Sequence, residues 1–585
     1  MPFFRSLFPV PATPAVGQDE RVRTPRWVDL ILFLMLVALG YGIVRATAGW
    51  REPIPPRLDI DLSPWELPRY AGLSTLRMAF AYLLSLVFSL VYARAAAASR
   101  AAERVMLPLL DILQSVPILS FMPGVVLALA ALLPGRTLGL ELAAIVLIFT
   151  SQAWNMAFSF HQSLITIPTQ LSEAARIYRL GFWQRFSRLE LPFGAIALIA
   201  NSMMSWAGGW FFLMASEQFT LGVKDLRLPG LGSYLAHAAE LGDTEALLLG
   251  LGTLVGVILL LDQIIWRPLM AWSDRFKVEQ STTGEAFTSP VLDILRGSEL
   301  MAQLRRALAP PLRRLDAWLT LVTDRSARRP FDQRRAARRR VLGFAVGGAV
   351  LVGTVWGLAA AVHSLAGLNS ADWHLLARSA VATFTRTLVA LGIALAWTVP
   401  VGVAIGMNPR WAQRAAPIVQ TIASVPATAV FPVLLLLLLQ LPGGLNGAAV
   451  ALMLLGTQWY VLFNVIAGAS AIPSDLREAA RTFRLSGWQR WRTLILPAIF
   501  PYLVTGMITA TGGAWNASIV SEYVSFGGRK ISTVGLGAVI AEAADNGNGR
   551  LLLAGTLVMS LVVIATNRLV WRRLYRLAET RFRLE

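Results

Sequence analysis

The sequence predicts an all-α polytopic membrane protein in which two parallel six-helix bundles are fused as a pseudo-dimer, and three observations predict it. The chain is 55% hydrophobic with a mean hydropathy of +0.57, too apolar for a soluble protein unless most of it sits in lipid. Runs such as 27–49, 71–93, 139–161 and 341–363 reach the roughly 20 residues that cross a bilayer core as helix. A stretch opening Glu173-Ala174-Ala175 and closing Leu191-Pro192 returns as Glu478-Ala479-Ala480 to Leu496-Pro497, each copy between long apolar runs.

Composition removes several function classes. There is no cysteine, so neither a disulfide framework nor a thiolate metal site exists. The four histidines, at 161, 237, 363 and 374, have no ligand spacing, so no metal site is expected. The net charge of +19 is almost wholly arginine. With the N-terminus on the cytoplasmic side, roughly 40 of the 53 Lys and Arg fall in inner segments, as the positive-inside rule expects. These arginines border spans rather than forming one stripe, which argues against nucleic acid as a partner.

Residues 1–26 read as a cytoplasmic tail. The apolar run that follows has no small-residue cleavage site and therefore stays as an anchor. The first repeat, 27–274, carries spans at about 27–49, 71–93, 107–133, 139–161, 193–215 and 246–270. The second, 341–585, carries them at 341–363, 380–405, 415–440, 446–468, 498–520 and 551–571. Arg77 aligns with Arg386, Ser115-Val116-Pro117 with Ser424-Val425-Pro426, Trp154 with Trp459, Trp210 with Trp515, and Gly230-Leu231-Gly232 with Gly535-Leu536-Gly537. An even number of spans per copy leaves both copies in the same orientation, and both termini on the cytoplasmic side.

The joint, 275–340, is arginine-rich, with Leu308, Leu312, Leu315 and Leu319 on one helical face, and Pro310 and Pro311 are expected to interrupt it. It reads either as helices lying on an anionic lipid leaflet or as a charged tether.

In the repeated loop, Pro168 and Pro473 end what precedes, and Glu173 and Glu478 are expected in the first turn of a short helix, favoured there by the macrodipole. The small Ala174, Ala175, Ala479 and Ala480 suit close approach to another surface, while Gly181 and Gly487 permit a turn after about two helical turns. The product is a short helix standing out of the membrane and tied to a transmembrane helix. Arg179 and Arg484 serve either the C-terminal dipole or an acidic residue of a partner.

At these residues the chain resembles the permease subunits of ABC importers, whose hallmark is a cytoplasmic Glu-Ala-Ala, three residues, Gly, nine residues, Ile-x-Leu-Pro. It is similar to their nitrate, sulfonate, taurine and bicarbonate branch in its duplicated anion-permease form. Leu113-Gln114-Ser115-Val116-Pro117, Pro123, Arg176, Trp183-Gln184-Arg185, Trp210, Glu217, Val520-Ser521-Glu522-Tyr523 and the two Gly-Leu-Gly triplets carry this likeness. It covers nearly the whole chain outside the first 26 residues and the joint. The resemblance implies a type I ABC importer permease fold in a bacterial inner membrane, two ABC ATPase subunits, a periplasmic substrate-binding protein and a small anion as cargo. It also implies an ATPase-coupling role for Glu173, Ala174, Ala175, Arg176, Arg179 and Gly181, and for Glu478, Ala479, Ala480, Arg481, Arg484 and Gly487. The family's glycine at the seventh motif position is Arg179 in one copy and Arg484 in the other, so the turn is expected two or three residues later.

The chain has no phosphate loop, and Lys224, Lys277 and Lys530 are not placed for one, so ATP and magnesium belong to partner subunits and this chain binds no cofactor. Interrupted helices at matching positions point to a transport path: Pro117, Pro123, Pro426 and Pro432 in the third spans, read as lining the central interface or as packing kinks. Gln152, Trp154, Asn155, Asn201, Ser205, Gln458, Trp459 and Asn516 are further pathway candidates in mid-span. Arg77 and Arg386 either attract an anion or snorkel to headgroups. Glu217 and Glu522 read as structural or gating groups. The competing reading, an ion- or proton-coupled carrier with six plus six helices, needs buried carboxylates, which look scarce, and leaves the repeated loop without a task.

Overall fold

Prolines and polar caps set where the helices begin and end. The computed structural model describes residues 27–35, 37, 59–221, 224–276, 289–328, 333–438, 444–526 and 529–581. The tail 1–26 and most of the expected span 27–49 lie outside them. A turn of 3-10 helix, Pro64–Glu66, leads into α1 (Leu67–Ala96), whose Pro68 falls in the first turn, where its missing N–H breaks no helical bond. Ser99 caps α2 (Arg100–Ser115) by accepting from the Ala102 amide. Then come α3 (Ile118–Leu132), α4 (Thr137–Ile165), the short α5 (Thr169–Ile177), the long α6 (Phe182–Glu217), α7 (Leu231–Leu241) and α8 (Thr244–Ser273). The joint contributes α9 (Pro290–Gly297) and α10 (Glu299–Arg328).

The second repeat follows the same plan: α11 (Gln333–Ala366), α12 (Ser370–Gly406), α13 (Pro409–Ala423), α14 (Ala427–Leu438), α15 (Gly444–Ser470), α16 (Ser474–Thr482), α17 (Gly487–Ser521), α18 (Leu536–Asp545) and α19 (Gly549–Ala578). Matched detail extends to π-helical turns at Phe186–Glu190 and Trp491–Ile495, and at Asp262–Trp266 and Asn567–Trp571. Each repeat also has a two-stranded antiparallel hairpin that sequence reading did not foresee: β1 (Thr220–Leu221) with β2 (Lys224–Asp225), and β3 (Tyr523–Phe526) with β4 (Arg529–Ser532).

Among the described residues eight helices are long and apolar enough to cross a membrane, or nine if the bent pair α2–α3 is one span. The expected 341–363 span lies within α11, whose apolar part among these residues is Val352–Ala366. In each repeat three helices form the centre, α1, α4 and α6 in one and α12, α15 and α17 in the other.

The third spans, expected over 107–133 and 415–440 as helices interrupted at prolines, break at the first proline of each, while Pro123 and Pro432 lie inside continuous helices. The ring of Pro117 excludes the helical region at the preceding residue, so Val116 turns extended with ψ 125° and α3 leaves α2 at 94°. The same Val-Pro pair separates α13 from α14. The second arms then cross to the other repeat. Ile118, Leu119, Met122 and Val126 of α3 pack with Trp515, Ile519, Leu536, Ile540 and Met559. Ala429 and Val433 of α14 join Trp206, Trp210 and Leu235. In lipid such contacts gain little from water exclusion, so close packing and interhelical hydrogen bonds hold them. Asn516 of α17 accepts from the Leu119 amide at 3.2 Å, satisfying a free donor at the α3 N-terminus, and Thr556 donates to the Ser120 carbonyl at 2.9 Å.

A second correction concerns the joint, where α10 runs unbroken through Pro310 and Pro311. Both prolines are exposed, so the carbonyls of Arg306 and Ala307, which they leave without amide partners, face outward rather than into a packed interior. Asp29 accepts from Ser298 Oγ at 2.5 Å and from the Leu300 amide at 3.3 Å, tying the start of α10 to the first described helical stretch.

Candidate functional site: two matched loops and a cavity between the repeats

The two loops end their short helices in the same way. After α5, the Leu180 amide bonds the Ala175 carbonyl at 3.0 Å and the Arg179 amide bonds the Arg176 carbonyl at 2.9 Å, with Arg179 at φ 48°. After α16 the Leu485 amide bonds Ala480 at 2.9 Å and the Arg484 amide bonds Arg481 at 2.9 Å, with Arg484 at φ 52°. This is the helix terminus that normally places glycine in the left-handed position. The expected displacement of the turn is therefore corrected: it stays at the seventh motif position, and arginine adopts a conformation that side chains resist. Gly181, at φ −64°, instead caps the next helical turn, while Gly487 takes φ 47°. Glu173 and Glu478 lie in the second turn rather than the first, because the helices begin directly after Pro168 and Pro473.

Ala175 and Ala480 are buried, Ala174 and Ala479 half-buried, and Glu173, Arg176, Arg179, Glu478, Arg481 and Arg484 exposed. The outward surface of each hook is apolar at its tip: Ile177 and Tyr178 are 77% and 78% exposed, and Phe483 is 77% exposed.

What braces the hooks differs. Glu190, buried at the foot of α6, pairs with Arg185 at 2.9 Å and with Arg94 of α1 at 2.6 Å, and Arg94 lies 5.0 Å from the Phe182 ring. Trp183 Nε1 donates to Asp316 of α10 at 2.7 Å. In the second repeat Glu190 is replaced by the buried Ile495, in an apolar cluster with Ile472, Leu494 and Trp571, and Trp488, the counterpart of Trp183, is 71% exposed.

At the opposite end of each bundle lies a buried charge cluster. Arg77 binds Glu141 at 2.5 Å and 2.7 Å, Glu217 at 2.7 Å and the Pro229 carbonyl at 2.9 Å. Glu217 also accepts from Ser74 and from the Gly232 amide, both at 2.7 Å, at the start of α7. A Cβ at Gly232 would lie 2.7 Å from the Met214 carbonyl, and one at Gly230 would overlap the Glu217 carboxylate, which is why this corner is Gly-Leu-Gly. Arg386 repeats the motif with Glu522 at 2.7 Å, but where Glu141 would stand it meets Asn446 at 2.6 Å. Glu522 is tied to Thr383 at 2.8 Å and to the Gly537 amide at 2.8 Å, and burial pushes its carboxyl above the usual range while Thr383 and Arg386 oppose that rise. Neither arginine snorkels and neither presents a free guanidinium; both hold carboxylates that lock the turn before α7 or α18. Sequence reading missed Glu141, which sits in an otherwise apolar run.

Between the repeats is a cavity of about 100 Å³, with Met204, Gly208, Phe211 and Phe212 of α6 on one side and Gln420, Pro426, Trp459, Tyr460, Phe463 and Asn516 of the second repeat on the other. Of the pathway candidates, Pro426, Trp459 and Asn516 reach it. The others lie elsewhere. Pro117 forms the break before α3, Pro123 is buried within α3 and Pro432 is half-buried within α14. Gln152 is buried beside Ser85, Trp154 lies 5.9 Å edge-on to Phe88, and Asn155 is exposed. Asn201 bonds Ser159 at 2.9 Å, and Ser205 and Gln458 are buried away from the opening. The α6 lining residues were missed because periodicity gives helix faces but not which face meets the other repeat.

Fold and site define a duplicated, multi-pass helical membrane protein with matched protruding loops. The family described as "Binding-protein-dependent transport system inner membrane component" matches residues 69–275 and again 398–583, and the chain belongs to that family. Similar curated proteins include the nitrate import permease protein NrtB of Leptolyngbya laminosa, 28% identical over 32% of this chain and 64% of that protein. The bicarbonate transport system permease protein CmpB of Synechococcus elongatus is 29% identical over 28% of this chain and 55% of that protein. The taurine transport system permease protein TauC of Escherichia coli is 26% identical over 33% of this chain and 66% of that protein. The chain thus spans less than two thirds of the length of the relatives it matches. A solved structure of the MetNI methionine ABC transporter in inward-facing conformations matches with a TM-score of 0.31 and 20% identity, over 36% of this chain and 99% of that chain.

Proposed function

We propose that this chain is the membrane permease of an ATP-driven ABC importer, carrying a small anion of the nitrate, sulfonate or bicarbonate kind delivered by a periplasmic binding protein. Two separate ATPase subunits dock on Glu173–Gly181 and Glu478–Gly487, hydrolyse ATP with their own magnesium, and pull on α6 and α17. The chain lies in a bacterial inner membrane with both termini cytoplasmic. The observation that carries this reading is the pair of hooks with the same hydrogen bonds and the same left-handed arginine, each exposing an apolar tip and each continuous with a long membrane helix. The carbonyls of Ala174, Ala175 and Arg176, and of Ala479, Ala480 and Arg481, are engaged, which stiffens each hook so that it can transmit a push. The hairpins and helices at 216–245 and 521–550, fixed by the buried arginine clusters, meet the lobes of the binding protein. The carrier alternative requires a carboxylate free to exchange protons, whereas Glu141, Glu217 and Glu522 are held by arginines.

Co-purification recovers a nucleotide-binding subunit, and Glu173→Lys combined with Glu478→Lys releases it; retention by the double variant overturns docking at these loops. Uptake into reconstituted vesicles requires ATP and binding protein, and uptake driven by an ion gradient alone reverses the assignment in favour of a carrier.

A further inference from the structure

The cavity between the repeats is unusual for an anion path in what lines it. Phe211, Phe212, Trp459, Tyr460 and Phe463 contribute five aromatic rings, and among the described residues no lining side chain carries a charge at neutral pH. A compact inorganic anion presents charge on every oxygen, so a site for it surrounds it with donors or cations; rings and methylenes leave most of that charge unsolvated. An anion with a flat apolar body needs donors at one end only, and its body gains from stacking.

Polar side chains that can donate line the cavity from the second repeat. Asn516 is already engaged, accepting from Leu119 and donating to the Gly512 carbonyl at 3.0 Å. The side-chain amide of Gln420, the indole N–H of Trp459 and the hydroxyl of Tyr460 have no hydrogen-bond partner among the described residues, and all three belong to the second repeat. The duplication supplies an internal control. The counterpart of Gln420 is Asp111, which bonds Gln114 and lies 3.8 Å from Arg572. The counterpart of Tyr460 is the exposed Asn155, whereas the tryptophans are held alike, Trp154 edge-on to Phe88 and Trp459 edge-on to Trp397. The first repeat thus holds a carboxylate where the second has a neutral amide, so only the second can receive a negative head.

Resting on the permease reading, we propose that this cavity binds an organic anion with a flat apolar body, of the arenesulfonate or arenecarboxylate class, its acidic head on Gln420, Trp459 and Tyr460 and its ring on Phe211, Phe212 and Phe463. The head is read by uncharged donors, which hold an anion without trapping it.

The test is equilibrium binding of radiolabelled benzenesulfonate to the full chain in lipid nanodiscs, with unlabelled benzoate, nitrate or bicarbonate as competitor. Saturable binding displaced by benzoate and not by equal concentrations of nitrate or bicarbonate is expected, with Gln420→Ala and Tyr460→Phe each weakening it about tenfold, the loss of one charge-assisted hydrogen bond. Asp111→Asn, at the counterpart position, leaves the affinity unchanged. Displacement by nitrate or bicarbonate as effective as by benzoate, absence of saturable binding, or full affinity in both variants overturns the proposal. Retained size-exclusion profile and helical signal show that a variant is folded, and Tyr460→Phe keeps the ring in place. The double variant Glu173→Lys with Glu478→Lys leaves benzenesulfonate binding intact while releasing the ATPase, so loss of the permease reading and loss of the cavity assignment give different results.

Discussion

The first and second hooks are the same object held in two ways. Both close on a left-handed arginine with matching bonds, yet the first is clamped by Glu190 between Arg94 and Arg185 and touched by α10 through Trp183 and Asp316, while the second rests on Ile495 and leaves Trp488 bare. A partner pushing on the first hook meets an electrostatic brace that also reaches the joint; one pushing on the second meets apolar packing alone. The opposite end of the bundles shows the same inequality, since Arg77 answers two carboxylates and Arg386 one carboxylate and an amide. Fusion of the copies removes the requirement that both halves do the same work, and the ionic contacts have concentrated in the first.

The largest break in this comparison is expected at the buried clusters. Arg77→Ala strands two carboxylates in a site 1% exposed and is expected to cost about 3–5 kcal/mol, seen as a collapsed unfolding temperature or loss of folded protein in detergent. Arg386→Ala costs less, because its side chain is 11% exposed and a single carboxylate is left; equal losses would show that the two clusters are energetically alike. Next in size, Glu190→Gln leaves Arg94 and Arg185 without their anion, costs about 1.5–3 kcal/mol, and removes the salt sensitivity of the first hook's hydrogen exchange. The second hook, without that triad, exchanges at a rate independent of salt.

Trp183→Phe removes the single bond to Asp316, worth about 1 kcal/mol, and is expected to speed protease cutting within 289–328, whereas Trp488→Phe does not. The smallest effect sharpens the likeness rather than the difference. Arg179→Gly and Arg484→Gly each relieve a left-handed side-chain conformation and are expected to stabilise by about 1 kcal/mol or less, by equal amounts in the two hooks. Unequal gains would mean that one arginine makes a contact the other lacks.

Much of this protein was legible from residues alone. Apolar run length placed the helices, Val-Pro pairs marked where the third spans are interrupted, and a repeated Glu-Ala-Ala stretch located both hooks, because each is a local property of a few adjacent residues. Other signals misled where local rules were overruled. Glycines at 181 and 487 suggested a shifted turn, yet the hydrogen bonds of the helix terminus hold arginine in the glycine position. Tandem prolines suggested a break, yet α10 continues because its exposed carbonyls need no amide partner.

By itself the sequence determined the duplication, the helical membrane class and the pair of hooks. Only tertiary structure decided that α3 and α14 exchange between repeats, that Arg77 finds Glu141 and Glu217, 64 and 140 residues away, and that one face of α6 meets Tyr460 and Trp459 across a cavity. Periodicity states which residues share a face; which face meets which partner is settled by packing between segments hundreds of residues apart, where close fit and paired polar groups take the place of water exclusion.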